Sequence, residues 1–138
     1  MVLLTRLTRE IYRRATEDVL GMSLKAYLAL NNVREQQPMT QQALGDALHM
    51  DANNCVLLLN SLESSQLAVR RRDPSDRRRH IVELTQRGRA AVERADRALD
   101  TVESEVLAAL TPDERLELRQ LLRRAFQVEP AGNVAAAV

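Results

Sequence analysis

Three groups of residues have types and spacings that could do chemistry. The first is a cationic block. Arg70, Arg71, Arg72, Arg77, Arg78, Arg79, Arg87 and Arg89 stand against only Asp73, Asp76 and Glu83, a local excess of five in a chain whose net charge is +1. The remainder of the chain therefore carries −4. A near-neutral chain with one concentrated basic segment has the charge distribution of a protein that meets a polyanion at one place. The second group is Asn53, Asn54, Val56, Leu57 and Asn60, inside a stretch from Asp51 to Val69 that holds no lysine or arginine. Carboxamides can hydrogen-bond base edges, and Val or Leu can meet a thymine methyl. The third group is scattered: Cys55, His49 and His80 have no second histidine, cysteine or carboxylate at ligand spacing. That pattern supports neither a metal site nor a Cys–His nucleophile. Glu103 and Glu105 read as a solvated helix surface, and no phosphate-binding glycine loop occurs. No catalytic residue, metal or cofactor is expected, and the chain does not read as an enzyme.

The elements that must position these groups are mostly helical. Leu4, Leu7, Ile11, Ala15 and Val19 or Leu20 recur in steps of three and four, the mark of one helix face, and Gly21 ends the run. Ser23 caps a second helix through Leu24, Tyr27, Leu28, Leu30 and Val33, closed by Pro38. Thr40 caps a short helix to about Leu48, with Ala43, Leu44 and Ala47 expected inward. Asp51 caps the next, whose inward stripe is Cys55, Leu58, Leu59 and Leu62. Two short helices joined by a tight turn form a helix-turn-helix.

After this pair the period changes. Leu67–Arg72 and His80–Leu84 read as short strands flanking the turn sequence Asp73-Pro74-Ser75-Asp76, a β-hairpin with an arginine-loaded tip. Thr85 caps a long helix with a heptad-like seam of Val92, Ala95, Leu99, Val102 and Val106. Thr111-Pro112-Asp113-Glu114 is a full helix start, leading to Leu118, Leu121, Leu122 and Ala125. The predicted fold is mainly α with a small β-hairpin: a winged helix-turn-helix with N- and C-terminal dimerisation helices. It is expected as one domain over 1–138, with a DNA-binding core at 36–90, dimerisation helices at 1–20 and 91–128, and a frayed tail at 129–138.

Composition fits that outline. Apolar residues make up 45% of 138, enough for a core without staples, and one cysteine allows no intrachain disulfide. The apolar run Val2-Leu3-Leu4 is too short for a signal peptide, and no stretch approaches the roughly 18 apolar residues of a bilayer span. A cytoplasmic protein without membrane partners is expected.

A helix of this kind is narrow enough to enter the major groove, while an arginine on the hairpin can reach a minor groove or its phosphates. With Cys55 inward, 100° per residue puts Asn53, Leu57 and Asn60 on the opposite face and Ala52 and Val56 beside it. Asn53, Asn54, Val56 and Leu57 are therefore the candidates for base edges, with a bias toward A·T pairs. Arg77, Arg78 and Arg79 are the candidates for wing contacts, and Arg72 with Thr40 and Gln41 for phosphates. Terminal helices with apolar faces cannot all be covered by three short helices and a hairpin. Leu4, Leu7, Ile11, Val106, Leu110, Leu118, Leu121 and Leu122 are accordingly expected at a homodimer interface.

The stretch ALGDALHMDANNCVLLLNSLESSQLAVRRRDPSDRRRHIVELTQRGRA resembles the core of the MarR family of regulators. Its most specific part is the wing pattern Asp-x-Arg followed by a strand ending Leu-Thr-x-x-Gly, here Asp76, Arg78, Leu84, Thr85 and Gly88. The resemblance implies a dimeric repressor on a pseudo-palindromic operator of double-stranded DNA, paired through the first and last two helices. It implies that Arg78 enters the minor groove, that Asp76 shapes the tip, and that a small aromatic or anionic effector releases the DNA. Two departures stand out: Leu57 replaces a common Arg or polar residue, and Gln66 replaces a common glycine. The turn at Gln66 must then be made by a residue less suited to positive φ. Sensing cysteines of relatives lie near the first helix, whereas Cys55 is on an inward stripe and reads as core, as do Tyr12, Tyr27 and Phe126. A recognition helix without lysine or arginine also leaves open a dimeric protein-interaction module or a sequence-tolerant DNA binder.

Overall fold

Caps coded in the sequence set where the helices begin. Ser23 Oγ accepts from Ala26 N, Thr40 Oγ1 from Ala43 N and Asp51 Oδ1 from Asn54 N, at 3.1, 3.1 and 2.8 Å. Thr85 Oγ1 accepts from Gly88 N at 2.9 Å, and Thr111 and Glu114 cap each other reciprocally at 3.2 and 2.8 Å. Each satisfies a backbone N–H that the first turn leaves without a partner. A computed structural model describes residues 1–127. Val128 and the tail expected from Glu129 onward lie outside the described residues.

The chain runs α1 (Val2–Arg14), α2 (Glu17–Leu20), α3 (Leu24–Glu35), β1 (Met39–Thr40), α4 (Gln41–Ala47), α5 (Ala52–Ser64), β2 (Ala68–Arg72), β3 (His80–Leu84), α6 (Gln86–Val106) and α7 (Pro112–Gln127). It divides into two compact units, Met1–Glu103 and the segment from Ser104 onward. The helix expected from Leu4 through Leu20 is broken at Ala15 and Thr16 into α1 and α2, and Gly21 closes it at φ 76°. One strand is additional to the expected hairpin: β1 pairs antiparallel with β3, giving the order β1-β3-β2. Arg70 lies opposite Val82, and Arg72 opposite His80.

The core of the first unit gathers Leu30, Val33, Leu44, Leu59, Val82 and Val92, all at most 1% exposed. It corrects several inward assignments. In α4 the buried positions are Leu44 and Gly45, whereas Ala43 and Ala47 are exposed, so the helix is rolled by about one residue from the expected face. In α3, Ala26 and Ala29 are buried, and Leu28 faces out. Of the three aromatics, Tyr27 is core; Tyr12 and Phe126 are exposed. Cys55 is buried as expected, its Sγ donating toward Gln41 O at 3.5 Å.

The turn after α5 carries the strain anticipated at Gln66, which adopts φ 59°. It is held there by Leu67 N donating to Leu62 O at 2.9 Å and by Thr85 Oγ1 donating to Gln66 O at 2.6 Å. A left-handed non-glycine residue costs about 1–2 kcal/mol, and glycine returns about 0.5–1 kcal/mol of that as extra unfolded-chain entropy. Gln66→Gly is therefore expected to stabilise the protein by about 0.5–1 kcal/mol, read as a higher denaturation midpoint at unchanged m-value.

No residue of α1 is buried, nor is any of Pro112–Phe126 in α7. In α1, Leu4 is exposed while Leu7 and Ile11 are half-buried. In the second unit, Leu121 is exposed, as are Leu116 and Phe126, while Val106, Leu110, Leu118 and Leu122 are half-buried.

Candidate nucleic-acid interface

The start of α4, the start of α5 and the tip end of the hairpin converge on one open cleft of about 420 Å³. Thr40, Gln41, Ala52, Arg78, Arg79 and His80 line it. Phosphate and wing candidates that lie about forty residues apart in sequence thus share one surface. The rim is set by α5, whose Cys55, Leu59 and Leu62 are buried. Burying that stripe turns Asn53, Asn54, Leu57 and Asn60 outward and leaves Val56 half-buried. Leu57 is 58% exposed, in the middle of this arc.

The hairpin tip is shaped by its two aspartates. Asp73 Oδ1 accepts from Ser75 N and Oγ at 2.9 and 2.7 Å, which holds its carboxyl below the usual range. Asp76 Oδ1 accepts from Arg78 N at 3.1 Å, the local turn bond that suits Asp at such positions. The same carboxylate lies 3.3 Å from Arg78 Nε and 3.6 Å from Arg79 Nε. The Arg78 side chain is nonetheless 93% exposed. Arg72 and Arg77 are exposed and, among the described residues, have no ion-pair partner.

Arg70 and Arg71, by contrast, are spent within the molecule. Arg71 pairs across the strands with Glu83 at 2.7 Å. Arg70 Nε donates to Glu63 Oε1 at 2.7 Å and Nη2 to Glu63 Oε2 at 3.2 Å, with Nη1 3.4 Å from Gln41 Oε1 and Nη2 also donating to Asn60 Oδ1. These bonds hold the Glu63 carboxyl below its ordinary range. Arg70 thus ties α4, α5 and β2 together, and the cationic surface is smaller than the arginine count suggests. The signal for this was the strand period: Arg70 shares a face with buried Ala68. Reading the block as one charge run hid it, as it hid His80 beside the cleft.

A second tie joins α3 to α6. Tyr27 Oη donates to Asp96 Oδ1, and Arg34 Nη1 to Asp96 Oδ2, both at 2.7 Å. Burial raises the Asp96 carboxyl, but these two donors outweigh it and leave it below its usual range. Burial also pushes the Cys55 thiol up, away from the reactive thiolate. Among the described residues no cluster of three or more His, Cys, Asp or Glu could hold a metal. None of their helices is long and apolar enough to cross a membrane.

A helix-turn-helix whose second helix turns a polar arc outward beside an arginine-tipped hairpin defines a winged-helix protein of the DNA-binding type. The sequence profile of the MarR family matches residues 20–79, which span the helix-turn-helix and most of the hairpin. A putative transcriptional regulatory protein for the hcr operon of Thauera aromatica is 29% identical over 84% of this chain and 70% of its own length. Among solved structures, a probable transcriptional regulator from Pseudomonas aeruginosa superposes with TM-score 0.71 at 29% identity, covering 89% of this chain and 93% of that one. The transcriptional repressor CouR, bound to a 23-mer DNA duplex, superposes with TM-score 0.75 at 28% identity over 89% of each chain. Over residues 20–79 the chain is thus similar to the MarR family, and the relatives and DNA-bound structure it resembles are transcriptional regulators.

Proposed function

We propose that this protein is a sequence-specific, cytoplasmic transcriptional regulator that represses by occupying a pseudo-palindromic operator as a homodimer. The observation that carries the reading is the cleft where Thr40, Gln41 and the exposed Arg78 and Arg79 meet the start of α5. Arg77, Arg78 and Arg79 serve the wing contact, and Arg72, Thr40 and Gln41 serve phosphates. Asn53, Asn54, Val56 and Leu57 serve base edges. The apolar residues left uncovered on α1 and α7 support pairing of two copies through the terminal helices. Pairing would place two recognition helices about one helical turn apart along the duplex. The CouR structure is of a repressor on DNA, and that of PcaV from Streptomyces coelicolor holds its natural ligand. A small aromatic or anionic effector, as the family resemblance implies, is part of the reading.

Selection from a randomised duplex pool, followed by gel shift, tests it. The expected result is a two-fold-related site, bound by a dimer in light scattering, retained against scrambled competitor and released by a member of a panel of small aromatic acids. The absence of lysine and arginine from α5 favours one rival, a sequence-tolerant binder. Equal displacement by scrambled and selected duplexes would establish that rival instead.

A further inference from the structure

The carboxamides on the exposed arc of α5 are held in different ways. Asn54 Nδ2 lies 2.8 Å from Asp51 Oδ2, while Asn54 N donates to Asp51 Oδ1 at 2.8 Å. A carboxylate only accepts, so Asn54 must turn its NH2 toward Asp51 and its carbonyl oxygen away. Asn60 has the opposite neighbour. A guanidinium only donates, and Arg70 Nη2 donates to Asn60 Oδ1, so the NH2 of Asn60 is the end left outward. These orientations follow from partner chemistry, whichever way an amide is drawn. Arg70 cannot readily leave: its fork on Glu63 and its contact with Gln41 hold it, and only 18% of its side chain is exposed.

We propose that α5 reads its duplex with two asparagines of fixed and opposite polarity, Asn54 as an acceptor set by Asp51 and Asn60 as a donor set by Arg70. The assignment rests on the duplex-binding reading above. Bidentate pairing with adenine needs both ends of an amide, and each of these residues has one end engaged. Asn60 then suits an acceptor edge, guanine O6/N7 or thymine O4, and Asn54 suits an amino group, adenine N6 or cytosine N4. Asp51 and Arg70 are positioning residues that act on base choice without touching DNA.

The test takes the duplex selected by the wild-type protein and replaces each base pair in turn, with affinities measured by competition. Asn60→Ala is expected to flatten a preference for guanine or thymine of roughly threefold to tenfold at one position per half-site. Asn54→Ala should flatten a preference for adenine or cytosine at another. Arg70→Lys, still a pure donor, keeps the Asn60 preference. Arg70→Met releases the amide and admits adenine at that position, with the salt slope unchanged because no phosphate contact is lost. Should Arg70→Met fail to fold, the lysine and alanine variants carry the test. The proposal is overturned if Asn60→Ala and Asn54→Ala leave every preference intact, if Arg70→Lys abolishes the Asn60 preference, or if Arg70→Met lowers the salt slope as loss of a phosphate contact does. If the wild-type protein selects no duplex at all, the duplex-binding reading itself fails. A duplex selected with preferences indifferent to both asparagines defeats this assignment alone.

Discussion

Arg78→Ala in both protomers is expected to weaken operator binding by tens of fold at about 0.1 M salt. It should also lower the slope of log K against log salt by roughly two units, since each phosphate-type contact contributes about 0.9. The basis is geometric. Arg78 is 93% exposed at the hairpin tip, and Arg70 and Arg71 are committed to Glu63 and Glu83. Of the arginines in the block only Arg78 and Arg79 line the cleft, so one matters. Titrations at several salt concentrations check this, and an unchanged slope with unchanged affinity would take Arg78 out of the mechanism. Arg71→Ala provides the contrast: its charge is already matched within the sheet, and its effect on the slope should be well under one unit per protomer.

Gly88→Ala is expected to cost about 3 kcal/mol of stability. A Cβ built at Gly88 would lie 1.9 Å from the carbonyl oxygen of Leu67 and 2.9 Å from its carbonyl carbon. Both are backbone atoms, so no side chain can swing away. The Leu67 oxygen also accepts from Thr85 N at 3.1 Å, fixing it against the start of α6. Relief would require moving α6 away from the turn that contains Gln66, which is also where β2 begins. Thermal or denaturant unfolding of the variant measures the loss. A midpoint within experimental error of wild type would show that the two segments separate freely.

The glycine was visible in the sequence as the last residue of the wing pattern, but its reason was not: nothing in the spacing says that the Leu67 carbonyl presses on it. The same division runs through the molecule. Caps at Ser23, Thr40, Asp51, Thr85 and Thr111 were legible because each is a local event between a side chain and an amide three residues on. The left-handed turn at Gln66 was legible because the helix had to end there without a glycine. Strand β1 was not: two residues, Met39 and Thr40, carry no period, and their pairing with Val82 and Ile81 is decided across forty residues of chain. The roll of α4 escaped for a related reason. Ala43, Leu44 and Ala47 form a fair apolar stripe by themselves, and only packing against α3, α5 and the sheet selects Leu44 and Gly45. Within the site, the exposed arc of α5 followed from its helical period. Which arginines face solvent did not, because that depends on where Glu63, Glu83 and Asp76 come to lie.

Asp76 has a consequence beyond the shape of the hairpin. Its carboxylate accepts from the Arg78 main chain and sits within 3.3 Å of the Arg78 Nε, yet leaves the end of that side chain in solvent. A long flexible cation tethered through its Nε samples fewer orientations than a free one. In the proposed wing contact, part of its rotational freedom is surrendered before the duplex arrives, and the entropic penalty of docking would be smaller by that part.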